Sequence, residues 1–262
     1  ILFGYDNLFL NIINLYKNKK LPNKIIFSGA KGIGKATFAY HIINYIFSTH
    51  ENHSYDLNNY KINNLNKSYN LVRNNSHPNF HLIDLLNDNK VIEISQIRKM
   101  IDYVNKSSFN NREKIILIDN AEYLNLNSSN ALLKIIEEPN DNVLFILIYD
   151  NSKKILDTIK SRCIKFNFNL SFDECVNITN KITKKNINDL LNLDLINHYN
   201  TIGDFINLIN FSSSSNIDIS NLNLKNFLIN IIENKYYKKN IFIKNNIYKF
   251  IDFYFLKLIN LK

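Results

Sequence analysis

An α/β fold built on a parallel sheet around a phosphate-binding loop, followed by an all-helical region, is what this sequence predicts. Three observations carry that prediction. Short apolar runs of strand length alternate with helical patterns from Lys24 to Phe166. A glycine-rich segment ending in lysine joins the first run to the first long helix. After Phe168 the alternation stops and the pattern is helical throughout.

In chain order, Lys24-Ile-Ile-Phe27 reads as the first buried strand, and a helix is expected from Ala36 to Phe47. The stretch from Ser48 to Ser76 is polar, rich in Asn and Ser and without periodicity, so a long surface insertion or loop is expected there. Phe80-His-Leu-Ile83 is a candidate fifth strand. Helices are expected over Ile94 to Asn105, over Ser128 to Glu138 with Pro139 as the stop, and briefly around Ile155 to Lys160. The remaining strands are Lys114-Ile-Ile-Leu-Ile118, Val143-Leu-Phe-Ile-Leu-Ile148 and Cys163-Ile-Lys-Phe166.

In the helical region Ser171-Phe-Asp-Glu174 has the spacing of a capping box, opening a helix at about residues 172–182. Further helical segments are expected at 186–195 and 201–211, with Ser212-Ser-Ser-Ser215 as a linker. Two amphipathic stretches, 221–236 and 240–262, carry Phe227, Ile231, Ile243, Ile247, Phe250, Tyr254 and Leu258. An aromatic stripe of this kind makes a core face, and two helices alone make a meagre core, so packing against partner subunits is its second use.

Composition limits the alternatives. The 262 residues, 45% hydrophobic and 21% charged, describe a globular chain of one large domain or of two or three small ones and exclude wholesale disorder. Cys163 and Cys175 are too few for a disulfide framework or a four-cysteine zinc site, which points to a reducing, cytoplasmic setting. No basic-headed leader and no run of about 18 uncharged apolar residues is present, so no membrane span is expected. The chain opens on Ile1 rather than Met and is still apolar at Leu261, which leaves both termini open. The net charge of +9 suits a polyanionic partner. Yet only Arg73, Arg98, Arg112 and Arg162 are arginine in a chain crowded with Lys, Asn and Ile, a bias that A/T-rich codons produce alone.

The most specific chemistry lies in Gly29-Ala-Lys-Gly-Ile-Gly-Lys35-Ala36-Thr37. Gly29, Gly32 and Gly34 let the backbone turn and aim its amides inward, Lys35 reaches for β/γ-phosphates, and the following helix adds its N-terminal dipole. The residue after the lysine should bring a hydroxyl to Mg²⁺, but it is Ala36. Thr37 comes one position late, about 100° further around the helix. Asp119 ends an apolar strand, where a carboxylate either holds Mg²⁺ through water or caps a turn; Asn120 follows it and cannot take a proton from water. Ser161-Arg162-Cys163 places a scarce arginine at a domain edge, fit to reach a neighbouring subunit's nucleotide or to make a surface ion pair.

Together with Ser129-Asn-Ala-Leu-Leu-Lys-Ile-Ile-Glu-Glu-Pro139, the Ser-Arg-Cys segment resembles the AAA+ clamp-loader family of DNA replication. Leu2-Phe3-Gly4, Leu21-Pro22, Gly32-Ile-Gly-Lys-Ala-Thr37, His77-Pro78-Asn79, Ile94-Ser-Gln-Ile-Arg98 and Asp119-Asn120-Ala121-Glu122 resemble its delta-prime branch rather than the hydrolysing tau/gamma branch. The resemblance implies a RecA-like P-loop domain over 1–168, a small helical lid over 169–211 and a C-terminal helical collar over 217–262. That collar is short for the family, and its completeness is open. It implies Arg162 acting in trans on ATP of an adjacent tau/gamma subunit, with Gly29, Gly32, Gly34, Lys35, Thr37 and Asp119 forming a degenerate nucleotide site. The implied partners are tau/gamma and delta subunits, the sliding clamp and, through the complex, primed DNA. The family's cysteine-ligated zinc module is not expected, because no cysteine lies between Ser48 and Ser76. Two other readings stay open: an active tau/gamma-like ATPase, and a small-molecule P-loop kinase, which lacks an acceptor site.

Overall fold

A computed structural model describes residues 1–86, 90–137, 142–196 and 200–260. It divides into two compact units, Ile1–Asn169 and Leu170–Lys262. The first contains α1 (Asp6–Lys17), β1 (Lys24–Gly29), α2 (Lys35–Ser48), α3 (Lys67–Arg73), β2 (Phe80–Ile83), α4 (Ile94–Asn105), β3 (Lys114–Ile118), α5 (Leu126–Glu137), β4 (Val143–Asp150), α6 (Asp157–Lys160) and β5 (Ile164–Phe168). The second contains α7 (Phe172–Thr183), α8 (Leu193–Ile196), α9 (Ile202–Ser215), α10 (Leu224–Glu233), α11 (Tyr236–Lys239) and α12 (Ile241–Asn260).

The five strands form one parallel sheet in the order β2-β3-β4-β1-β5. β3 is buried along its whole length and β4 is buried to Tyr149, which is why both read as unbroken apolar runs rather than alternating ones. The candidate fifth strand at Phe80 to Ile83 is real and pairs with β3 from Phe80↔Ile115 to Ile83↔Ile118. This strand order, with helices between the parallel strands, is that of a RecA-like P-loop domain. Pro139 and Glu138 lie outside the described residues; α5 runs through Glu137.

Three expectations require correction. The stretch from Ser48 to Ser76 is not a plain surface loop. It contains α3, whose N-cap Asn66 accepts from the Tyr69 N–H at 2.7 Å, and it buries Tyr55, Asn66, Ser68 and Val72. A seven-residue helix is too short to show a period, and what ties the segment down is polar. Glu51 accepts from the Ser68 hydroxyl at 2.6 Å and from the Asn66 amide at 2.8 Å. Since the Asn79 N–H donates to His77 Nδ1, the proton of that ring sits on Nε2, which points at the Ser68 oxygen at 3.3 Å. His77 stacks on Phe47 with ring centroids 4.1 Å apart.

Ser212 to Ser215 is not a linker either. The four serines form the last turn of α9, and their hydroxyls bond to nearby carbonyls: Ser213 to Ile209 at 3.1 Å, Ser215 to Phe211 at 2.6 Å, Ser212 to Ile217 at 2.6 Å. Composition alone suggests a flexible stretch, but back-bonded serines are compatible with a helix end. Segment 186–195 likewise divides into a 3₁₀ turn at Ile187–Asp189 and the start of α8.

In the second unit Phe227 of α10 meets Phe250 of α12 edge-on at 5.5 Å, and Phe211 of α9 meets Phe227 at 6.4 Å. Ion pairs from Lys249 to Asp204 at 2.9 Å and from Lys257 to Asp194 at 2.5 Å tie α12 to α9 and α8. The opposite side of α12 exposes Ile241, Tyr248, Phe255 and Ile259. The capping box at the start of α7 is formed, with the Glu174 N–H donating to Ser171 Oγ at 3.3 Å and Glu174 accepting from the Ser171 N–H at 2.7 Å. Ser171→Ala is expected to lower the stability of this unit by about 1 kcal/mol, read as a shift of the urea midpoint with an unchanged slope. Among the described residues no helix is long and apolar enough to cross a membrane.

Candidate functional site

In a parallel sheet the loops at the carboxyl ends of the strands form the natural binding crevice, because the helix N-termini converge there. Here a cavity of about 320 Å³ lies at that edge, and it is lined by Gly32, Gly34, Lys35, Ala36, Thr37, Asp119, Asn120, Glu122 and Asp150 among others. Gly32 and Gly34 have φ of 82° and 99°, the left-handed conformation a phosphate-cradling turn needs. Gly29 serves differently. It is the last residue of β1, paired with Phe168, and a Cβ there would lie 2.4 Å from the Phe168 carbonyl oxygen. Its place is therefore fixed by strand packing, while the turn belongs to the other two glycines.

Lys35 is 6% exposed, and its Nζ donates to the carbonyls of Gly29 and Ala30, each at 2.7 Å. Burial pushes its ammonium below the ordinary lysine range, against the pull of Asp150, Glu122 and Asp119. Asp119 follows β3, its N–H bonded to the Ile83 carbonyl and its Oδ1 accepting the Asn120 N–H at 2.8 Å. Burial pushes the Asp119 carboxyl up to about 6, with the Asp84 carboxylate also raising it. Asn120 sits in the left-handed region at φ 54°, and its carboxamide donates to Asp84 Oδ1 at 2.7 Å. Glu122 accepts from the Asp150 N–H at 3.2 Å.

The raised carboxyl has a sign that can be worked out. A folded-state value near 6 against an ordinary 3.8 means the native state holds the proton more tightly. Stability therefore falls as pH rises from about 4 to about 6 and stays lower above that. Asp119→Asn is expected to stabilise the chain by up to about 2–3 kcal/mol at pH 7.5 and to be nearly neutral at pH 4. Urea unfolding at both pH values checks this, and equal gains at the two would refute it.

The structure thus brings Gly32, Gly34, Lys35, Thr37 and Asp119 to one cavity. The glycine cradle and buried lysine fit a polyphosphate. The metal side fits less well, since Ala36 brings no side-chain oxygen to the place after the lysine. Among the described residues no group of three or more His, Cys, Asp and Glu side chains is placed to hold a metal ion. Sequence reading missed Asp84 and Asp150. The signal was available: each is the first acid at the carboxyl end of an apolar strand.

Arg162 is not among the residues lining this cavity. It lies between α6 and β5 with its side chain 37% exposed, where Nη2 pairs with Glu137 Oε1 at 2.6 Å and Nη1 donates to the Thr158 carbonyl at 3.0 Å. Cys163 beside it is a buried free thiol, pushed up to about 11 by burial.

Residues 5–171 match the sequence model of a family described as DNA polymerase III, delta subunit. A DNA polymerase III subunit delta' of Pseudomonas aeruginosa is 32% identical over 99 residues, 38% of this chain and 30% of its own length. One from Buchnera aphidicola (subsp. Schizaphis graminum) is 30% identical over 184 residues, 70% of this chain and 54% of its own. A subunit gamma/tau of Mycoplasma pneumoniae is 32% identical over 165 residues, 63% of this chain and 23% of its own. The chain thus spans between about a quarter and about half the length of these relatives. A solved gamma subunit-related protein of Thermotoga maritima is similar at a TM-score of 0.46 and 16% identity, over 84% of this chain and 66% of that one.

Proposed function

This chain belongs to the DNA polymerase III delta-subunit family, and on that premise we propose that it is a delta-prime-type clamp-loader subunit that turns over no ATP by itself. In this reading it supplies Arg162 in trans to ATP held by a neighbouring tau/gamma subunit. With tau/gamma and delta subunits it opens a sliding clamp and places it on primed DNA in the cytoplasm. The observation that carries the reading is the committed state of Asn120. Where a hydrolysing relative needs a base, this chain has a carboxamide bonded to Asp84 at 2.7 Å. Ala36 removes the hydroxyl that would hold Mg²⁺. Lys35, with the amides around Gly32 and Gly34, and Thr37 and Asp119 nearby, is a site that holds phosphate without cleaving it. The exposed apolar side of α12 supports a role in assembly, as a collar helix facing other subunits.

The test is ATP hydrolysis with Mg²⁺ and primed DNA, first by the purified chain and then with tau/gamma and delta subunits added. The expected result is no turnover alone and turnover in the mixture that depends on this chain. Steady turnover by the isolated chain, abolished by Lys35→Ala, would instead establish an active tau/gamma-like ATPase.

A further inference from the structure

We propose that Glu137, the last helical residue of α5, is a positioning residue that aims the Arg162 guanidinium outward; this rests on the trans role of Arg162 proposed above. The contact joins two segments 25 positions apart at one edge of the first unit. Glu137 Oε1 lies 2.6 Å from Arg162 Nη2, while the carbonyl of Thr158 takes Nη1 at 3.0 Å. A guanidinium has five N–H donors in a rigid plane. Two of them are engaged, one on each terminal nitrogen, so the plane is fixed at both ends. Among the described residues the other three have no recorded partner and are left for an anion from outside, and the side chain is 37% exposed.

Stability does not explain the pair. An ion pair at such exposed positions contributes little to stability, and Glu137 stands at a helix C-terminus, where a negative charge opposes the dipole. Lys134 in the same last turn has the favourable sign. Orientation explains the pair better. A free arginine side chain surrenders rotamer entropy when it docks, and a guanidinium already held in plane by a carboxylate and a carbonyl has surrendered much of it beforehand.

The experiment uses the reconstituted loader with this chain as wild type, Glu137→Ala, Glu137→Gln or Arg162→Ala. Glu137→Ala is expected to lower the single-turnover rate of ATP hydrolysis at the site that Arg162 faces about 10-fold, within the ~10²-fold that a 1 Å misplacement of a reacting group costs. The half-saturating ATP concentration and the thermal midpoint of the chain are expected to stay as in wild type, and Glu137→Gln, which keeps an acceptor oxygen, to recover most of the rate. A Glu137→Ala loader as fast as wild type would overturn the proposal. So would a faster one, which would mean that the carboxylate restrains Arg162 rather than aiming it. If Arg162→Ala leaves turnover unchanged, the underlying reading falls instead, whatever the Glu137 variants do.

Discussion

On the proposed trans role, Arg162→Ala is expected to slow hydrolysis at the neighbouring subunit's nucleotide site by about 10³-fold, the lower end of what a trans-acting arginine supplies. Removing a positive fork that meets charge only as it develops on the transferred phosphoryl group raises the barrier and leaves ground-state binding nearly untouched. ATP affinity measured by nucleotide binding should therefore stay within about 2-fold while the single-turnover rate collapses. Arg162→Lys separates charge from shape. A lysine cannot bond Thr158 and Glu137 with two ends of one plane, so it should recover only a small part of the rate. The chain itself should fold normally with either substitution, since the pair it loses is half-exposed.

The second large effect is structural. Gly29→Ala is expected to cost about 3 kcal/mol or more, because the new Cβ would lie 2.4 Å from the Phe168 oxygen and 2.9 Å from the Phe168 Cβ. Both atoms belong to the neighbouring strand, so relief requires β1 and β5 to part rather than a side chain to turn. Gly34→Ala, only five residues on, meets nothing nearer than Tyr5 Cε2 at 3.8 Å; its cost is the φ of 99°, about 1–2 kcal/mol. Urea unfolding of the two variants should rank Gly29→Ala as the more damaging. The reverse order would mean that the sheet edge at β5 yields more easily than the turn.

The parallel sheet and the loop were legible because each depends on a local signal: β3 is apolar at every position because both its faces are covered, and the loop carries its glycines and lysine within nine residues. Helix α4 was found to the residue, since its amphipathic period is strong and its capping box is intact. α1 was missed although Phe9, Ile12 and Ile13 mark a buried face, because its start has no side-chain cap to announce it. The segment around α3 was misread because its packing rests on Glu51, Asn66, Ser68 and His77, and polar residues that satisfy one another look like residues that face water. For the site, Lys35 and Asp119 stood out by position. That Asn120 is spoken for by Asp84, 36 positions earlier, and that Arg162 is held by Glu137, required the fold.

The placement of β1 between β4 and β5 also bears on how the chain is made. Its two neighbours are β4 and β5, so both of its hydrogen-bonding edges stay bare until residues 143–168 exist. At about 5–20 residues per second, a ribosome needs on the order of 10 s to supply them. Throughout that interval the nascent chain presents Ile25, Ile26 and Phe27 on an unpaired strand, the kind of edge that recruits other chains. The glycine-rich loop, anchored at Gly29 against Phe168, cannot take its final shape before the last strand arrives. A truncation ending before β4 should accordingly accumulate as aggregate, with the cavity at the strand ends unformed.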